Sequence, residues 1–345
     1  MNELINNLLI FAPLLLVVGL ANLAEWQRER EEPYQALAIT SYLLITAMYL
    51  IGILVGIAAQ TVGFLLQRQP QLLEEAGIPF QPDSFGILGA GLWVPCLVGL
   101  LFLLPPVRRL LARFIAIDPQ NPVHAVALAF SMLVIVNLMV TLGVGLANLA
   151  ELLAEQADAG VTATTTLGLW LQQIFTALLA MVGVGWLTRR NWRNTLDRLG
   201  IVVPTGGQIL IGLACGLVMV PVIMFVENIS TQYNWGVDQS VSDLTEVLLG
   251  SLFTTPFGIF TIGASAALGE ETIFRGAIQP RFGLILTALL FALVHGNYGL
   301  SLSTLIVFLV GLLLGVLRIR YNTTTSMIMH ATYNITLAVL AVLGV

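Results

Sequence analysis

The carboxylates and imidazoles of the chain concentrate in one apolar stretch near its end. Between residues 247 and 345 the only acidic residues are the adjacent pair Glu270 and Glu271. Two of the three histidines in the chain, His295 and His330, fall in the same stretch. An ionisable side chain near the centre of a bilayer costs on the order of 3 kcal/mol, so such residues usually face a cavity or a partner. A carboxylate and an imidazole that share a cavity can activate a water molecule by general base catalysis.

Helical spacing separates these groups into different roles. Glu271 and Arg275 lie four residues apart with the acid first, which is the favourable order for an ion pair within a helix. Glu270 points about 100° away from its neighbour, because each residue advances an α-helix by that angle. His330 and Asn334 also lie four residues apart and share one helix face. We therefore expect Glu271 to be structural and Glu270 to be free for another partner.

The rest of the sequence supplies long apolar segments that can hold these groups in a membrane. Of the 345 residues, 57% are apolar and only 10% are charged, whereas an ordinary soluble domain has roughly 25% charged residues. The fold class is therefore predicted to be all-α, a polytopic transmembrane helical bundle with about nine to ten membrane helices. We expect these helices at residues 4–24, 36–66, 85–105, 123–150, 168–188, 208–227, 257–280, 283–296, 300–317 and 325–344.

The distances of Glu270, His295 and His330 from their predicted helix ends indicate that these side chains meet inside the membrane. Counted at 1.5 Å per residue from the nearest predicted helix ends, Glu270, His295 and His330 lie about 15, 18 and 12 Å inside the membrane. All three helix ends are on the same side in the topology below, so three separate helices bring these groups to a similar level. The polar break at residues 295–299 fits a cavity there, because irregular backbone at membrane depth must be buried in protein or line a wet space.

The placement of arginine predicts the orientation in the membrane. Every basic residue is Arg, and the loops after the first, third and fifth predicted helices are rich in it, whereas the loops at residues 151–167 and 228–246 have none. By the positive-inside rule the Arg-rich loops are cytoplasmic, so the N-terminus lies outside and the site opens toward the cytoplasm. We expect a multi-pass protein of the cell membrane. The net charge of −5 supplies no basic field for nucleic acid, which is not expected as a partner.

Three motifs carry a resemblance to a known family. Residues 270–275 match E-E-x-x-x-R, residues 291–295 match F-x-x-x-H, and residues 330–334 match H-x-x-x-N. In this order the motifs resemble those of the CPBP family of intramembrane proteases, which includes type II CAAX prenyl endopeptidases and bacterial bacteriocin-processing or self-immunity proteins. The resemblance covers roughly residues 205–345 as a peptidase core, and residues 1–200 form an N-terminal helical region without a recognised signature.

The resemblance implies a catalytic role for four side chains. Glu270 would act as general base on a water that His295 holds and polarises. His330 and Asn334 would stabilise the oxyanion of a tetrahedral intermediate. The implied activity is an intramembrane endopeptidase acting on a membrane-associated peptide or protein, and the sequence leaves open whether that substrate is prenylated. The remaining motif residues would hold the helix and its charge balance or pack beside it: Glu271, Arg275 and Phe291.

Three other interpretations stay open from the sequence. Glu270, His295 and His330 have the ligand chemistry of a catalytic zinc site, although no H-E-x-x-H helix is present and no cofactor is otherwise expected. A member that has lost catalysis would act as a membrane scaffold or immunity protein. An ion-coupled transporter would use the buried carboxylates, and the heptapeptide shared by residues 19–25 and 145–151 is compatible with a repeat.

Overall fold

The computed structural model describes residues 2–69, 71, 82–158, 166–233, 236 and 238–344, and among these residues there is no strand. Two 3₁₀ turns, at Gly250–Thr254 and Gly296–Tyr298, and a π-helix, Glu271–Ile278, interrupt a series of α-helices. The α-helices are α1 (Asn2–Arg28), α2 (Gln35–Arg68), α3 (Pro82–Phe102), α4 (Pro105–Leu111), α5 (Pro122–Val144), α6 (Leu146–Asp158), α7 (Thr166–Gly183), α8 (Trp192–Leu199), α9 (Gly206–Gln232), α10 (Gln239–Leu249), α11 (Pro256–Glu270), α12 (Gln279–Phe282), α13 (Leu284–Val294), α14 (Leu302–Arg320) and α15 (Thr323–Leu343).

The predicted all-α polytopic bundle is confirmed. Within the described ranges, eight helices are long and apolar enough to cross a membrane: α1, α2, α3, α5, α7, α9, α14 and α15. The predicted stretches 257–280 and 283–296 are also helical, but the first changes helix type along its length and the second corresponds to the short helix α13. The chain is therefore a multi-pass membrane protein by the length and composition of its helices.

The predicted helix at residues 123–150 is wrong as a single element. The structure ends α5 at Val144 and begins α6 at Leu146. Gly145 lies between them with φ of 85°, a backbone conformation that residues with a side chain rarely adopt. The apolar run continues past this break, so hydrophobicity alone did not reveal it.

Helix α11 is held between α7 and α15 by glycines. A Cβ atom added to Gly263 would lie 2.5 Å from Cγ1 of Ile335 on α15, and one added to Gly269 would lie 2.0 Å from Oε1 of Gln173 on α7. Small residues at such contacts let membrane helices approach closely, where packing rather than the hydrophobic effect holds them together. The end of α11 that carries Glu270 is consequently positioned by its neighbours on both sides.

The largest cluster of buried apolar side chains lies beside the end of α11. It includes Phe274 of the π-helix, Leu290 and Phe291 of α13, Leu314 of α14 and Met329 of α15. Leu314 and Met329 are fully buried, and Phe291 is 2% exposed. The residues of the three sequence motifs therefore lie on elements that share one packed core.

We predict that Gly269→Ala destabilises the protein by about 1–3 kcal/mol, because the new methyl group overlaps Gln173 and forces α7 and α11 apart. Thermal unfolding of the purified protein in detergent measures the effect. Gly19→Ala on α1 is the matched control, since an added Cβ there meets nothing within 4 Å. A Gly269→Ala protein that melts at or above the wild-type temperature would show that the two helices do not need this close approach.

Candidate active site

Glu270 is the last residue of α11, and the π-helix begins at Glu271. The prediction of one continuous helix over residues 257–280 is wrong at this point, because the helix type changes here. Single turns of π-helix inside α-helices are frequent at functional sites, because the extra residue redirects the side chains that flank it. The side chains of Glu270 and Glu271 point from this junction toward different neighbours.

Glu270 faces His295 across a short gap. Its Oε2 atom lies 3.7 Å from Nε2 of His295, and the side chains are 17% and 23% exposed. This distance is too long for a direct hydrogen bond, but one water molecule about 2.8 Å from each atom can contact both. Oε2 of Glu270 has no hydrogen-bond partner among the described residues. The pair is arranged to hold a water between a carboxylate oxygen and an imidazole nitrogen.

The orientation of the His295 ring is fixed by the end of α13. The backbone N–H of His295 bonds to the carbonyl of Ala292, which leaves the carbonyl of Phe291 without its usual helical donor. Nδ1 of His295 lies 2.8 Å from that carbonyl oxygen. Because a carbonyl can only accept, Nδ1 carries a proton, and in the tautomer with a single N–H the other nitrogen, Nε2, presents its lone pair toward Glu270. The F-x-x-x-H spacing thus selects the tautomer.

Glu271 lies in a fully buried charge cluster. Its Oε2 atom is 3.3 Å from Nε of Arg275, and the two side chains are 0% and 1% exposed. Its Oε1 atom is 2.9 Å from Nδ1 of His330, which donates to it. The expected partner on the same helix is therefore joined by an imidazole from α15, a contact that the spacing of the motifs did not indicate.

Phe291 packs at the centre of these groups. The guanidinium carbon of Arg275 lies 3.9 Å from the ring centroid, within the range of a cation–π interaction. The ring also meets His295 and His330 edge to face, at centroid distances of 5.0 and 5.9 Å. Arg275 further donates to the carbonyl of Gly311 on α14 at 3.3 Å. One aromatic ring thus separates the buried cluster from the more exposed pair.

Asn334 lies on α15 together with His330, whereas His124 lies on α5, away from the motif residues. Asn334 follows His330 by one turn on α15 and is partly buried, and no hydrogen bond joins its side chain to another described residue. His124 lies at the start of α5, where its Nδ1 accepts from the backbone N–H of Asp118 at 2.9 Å. His124 therefore lies outside the cluster formed by the motif residues.

Three residues that contact the site were not predicted from the sequence. Gln173 of α7 donates from Nε2 to Oε1 of Glu270 at 3.4 Å, and Asn137 of α5 donates to the carbonyl of Val294 at 3.3 Å. Tyr298 stacks on His295 with centroids 5.8 Å apart and planes 3° apart. The available signal was weak: each is a polar residue in an apolar surrounding, and two of them lie in the N-terminal region, far from the motifs in sequence.

The side chains present do not fit a zinc site. Among the described residues, no group of three or more His, Cys, Asp and Glu side chains has the arrangement of metal ligands. His330 directs Nδ1 to Glu271, whereas His295 directs Nε2 to Glu270. The three residues that the sequence offered as ligands are thus engaged in two separate pairs.

A family model described as type II CAAX prenyl endopeptidase Rce1-like matches residues 252–336. Because residues 252–336 match this model, we refer to them as the Rce1-like domain. The match includes all three motifs, so the resemblance drawn from them is confirmed, and it implies a peptidase. No curated protein and no solved structure matches the chain significantly. Residues 1–251, which include Gln173 and Asn137, lie outside the Rce1-like match.

We predict that Glu271→Gln destabilises the Rce1-like domain by about 3–5 kcal/mol, because it leaves the guanidinium of Arg275 buried without a counter-charge. The double variant Glu271→Gln with Arg275→Met should recover part of this loss, since it removes both charges and keeps similar side-chain volumes. Thermal unfolding of the wild type, the two single variants Glu271→Gln and Arg275→Met, and the double variant measures the coupling between the two residues in a double-mutant cycle. Strictly additive effects of the two substitutions would show that the ion pair is not coupled.

Proposed function

We propose that the chain is an intramembrane endopeptidase of the CAAX prenyl protease type and that Glu270 and His295 activate the attacking water. The observation that carries the proposal is the 3.7 Å separation of Oε2 of Glu270 from Nε2 of His295. Both atoms are acceptors in the tautomer that Phe291 selects, so a water between them donates one proton to each. Its lone pairs are then free to attack a peptide carbonyl.

Hydrolysis in this site needs two proton transfers. As the water oxygen bonds to the carbonyl carbon, one water proton moves to Glu270, and the carbonyl oxygen becomes the oxyanion of a tetrahedral intermediate. When the carbon–nitrogen bond breaks, the proton on Glu270 passes to the leaving amine. The products are a peptide amine and a peptide carboxylic acid, which keeps the second proton of the water, and Glu270 is again an unprotonated base. The donor Gln173 keeps the carboxylate in place throughout.

His330 and Asn334 are proposed as the oxyanion donors. Glu271 holds Nδ1 of His330, so Nε2 lies on the opposite side of the ring. The oxyanion role requires a hydrogen on Nε2, which then points away from Glu271. The amide of Asn334 lies one helical turn further along the same face. Removing one such donor typically lowers the rate by about 100- to 1000-fold.

The substrate class follows from the family and from the position of the site. The Rce1-like match supports a protein or peptide substrate at the membrane. We propose a prenylated peptide as the first substrate to test, because an apolar chain on the peptide would hold it beside a site that lies among membrane helices. The side chains present do not fit a catalytic zinc ion, so we expect cleavage to persist in the presence of a metal chelator.

Four single variants of the full chain test the proposed activity. Glu270→Gln and His295→Ala should each abolish cleavage of a prenylated peptide. The first removes the base that takes the water proton, and the second removes the imidazole that holds the same water. His330→Ala and Asn334→Ala should each lower kcat by about 100- to 1000-fold with a smaller effect on KM. Mass spectrometry of the products measures cleavage of prenylated and unprenylated peptides in detergent.

Glu246→Gln is the matched control, since it neutralises an exposed carboxylate on α10. It should leave cleavage unchanged. All variants must elute as folded protein in size-exclusion chromatography. Retained cleavage by folded Glu270→Gln or His295→Ala would overturn the proposed mechanism, whereas loss of activity in Glu246→Gln would show that the assay reports stability.

We also propose that the protein lies in the cell membrane with its N-terminus outside and the site open to the cytoplasm. The Arg-rich segments support this orientation by the positive-inside rule. Arg113 and Asp243 are exposed and lie in segments that the rule assigns to opposite sides. A membrane-impermeant thiol reagent applied to intact cells should label Asp243→Cys and not Arg113→Cys. Labelling of Arg113→Cys alone would reverse the orientation.

A further inference from the structure

An elongated cavity lies between the N-terminal helices and the Rce1-like domain. It has a volume of about 390 Å³ and is lined by residues of α1, α5, α7, the π-helix and α13, and pockets that bind ligands are typically about 300–1,000 Å³. Its lining follows α5 from Asn121 to Asn137, a length of roughly 24 Å at 1.5 Å per residue. Most of the lining is apolar and includes Phe11, Leu14, Phe130, Val134, Ala180 and Leu290.

Four arginines line one end of this cavity, which we call the cationic cavity. They are Arg189, Arg190, Arg198 and Arg281. They come from the turn after α7, from α8 and from α12, so three separate elements converge there. This end lies at the start of α5, where Asn121 and His124 also contribute to the lining. The far end is lined by Asn137 and Val294, and the lining between these residues and the arginines is mostly apolar.

The arginines outnumber the carboxylates that neutralise them. Arg189 forms an ion pair with the half-exposed Glu29 at 2.8 Å. Arg190 and Arg198 donate to the carbonyls of Val184 and Gly276. In the described part of the chain, no salt bridge gives Arg190, Arg198 or Arg281 a carboxylate partner. Nε of Arg189 is also buried without a hydrogen-bond partner among the described residues.

The arginines also raise one another's electrostatic energy. Burial and the neighbouring guanidiniums, Arg281 first among them, lower the pKa of Arg198 to about 10. Burial and Arg189 lower the pKa of Arg190 as well. A cluster in which each cation makes the next less stable gains from an anion placed among its members. The fold therefore maintains an unneutralised positive site at the end of an apolar channel.

We propose that the cationic cavity binds an anionic membrane phospholipid, with its phosphate among the four arginines and one acyl chain along α5. Guanidinium groups suit phosphate because they donate in pairs to its oxygens. Basic pockets between membrane helices are known sites for anionic headgroups. A soluble phosphate would satisfy the arginines but leave the apolar length of the cavity unfilled. A zwitterionic lipid would bring its own cation to a site that already has an excess of positive charge.

The bound lipid would pack beside the catalytic residues without contacting them. Val294, at the far end of the cavity, immediately precedes His295, and Asn137 donates to the Val294 carbonyl. An acyl chain in the cavity would therefore support the segment that orients His295. The binding site itself does not depend on the proposed hydrolysis, and the two are tested by different measurements.

Lipid binding to the purified full-length protein tests the proposal. The probes are dioleoylphosphatidylglycerol, dioleoylphosphatidylcholine and glycerol phosphate, and native mass spectrometry counts the bound molecules. We expect one phosphatidylglycerol per chain and much weaker binding of the other two. Arg190→Gln with Arg198→Gln should lower the affinity for phosphatidylglycerol about thirtyfold, since each basic group contributes roughly a fivefold factor. The control, Arg113→Gln with Arg320→Gln, removes two exposed charges outside the cavity and should bind as the wild type does.

Two results would overturn the proposal. One is equal retention of phosphatidylglycerol by the wild type and by the Arg190→Gln and Arg198→Gln protein. The other is stoichiometric displacement of the lipid by a prenylated peptide, which would assign the cavity to the substrate. If the double variant does not fold, as judged by its melting curve, Ala127→Phe fills the channel instead and should reduce lipid binding with the arginines intact. Undiminished lipid binding by Ala127→Phe would place the acyl chain elsewhere.

Discussion

The buried carboxylate of Glu271 is the constraint on which the rest of the site depends. A charge at 0% exposure among membrane helices is tolerated only with close partners, and here the partners come from two elements, Arg275 in the π-helix and His330 on α15. Because Arg275 also reaches the carbonyl of Gly311, α14 is tied to the same charge. The relative positions of the π-helix, α14 and α15 are thus set by one group that cannot be left unpaired, and the ring of His330 takes its orientation from it.

The two adjacent glutamates differ in chemistry because their surroundings differ. Glu271 has both oxygens directed at cations or donors inside the core, so its charge is committed to structure. Glu270 keeps one oxygen for Gln173 and directs the other toward His295, in a part of the site that remains 17–23% exposed. A general base needs access to water, which the buried member of the pair lacks. The change from α-helix to π-helix between these residues helps to direct the buried carboxylate and the more exposed one to different neighbours.

Sequence patterns predicted the helices and the grouping of the motifs better than the contacts between them. The apolar runs revealed the bundle, and depth arithmetic brought Glu270 and His295 to one level, because both depend only on helix geometry. The bond from His330 to Glu271 was not predictable, since it depends on how α15 is rotated against the π-helix. The break at Gly145 was also hidden, because a positive φ at one glycine leaves no trace in hydrophobicity. Gln173 was missed for a similar reason: its role comes from a contact across 97 residues of sequence.

The N-terminal helices are a physical part of the site even though the family match begins at residue 252. Helix α7 approaches α11 so closely that Gly269 has no space for a side chain, and this approach is what brings Gln173 to Glu270. Helix α5 holds the turn after α13 through Asn137, and α1, α5 and α7 together line the cavity beside that turn. In a membrane, lipid would otherwise cover these faces of the Rce1-like domain and could not donate hydrogen bonds to the carboxylate or to the turn. The N-terminal region therefore provides the polar contacts that a lipid surface lacks, while its arginines determine which lipid can approach.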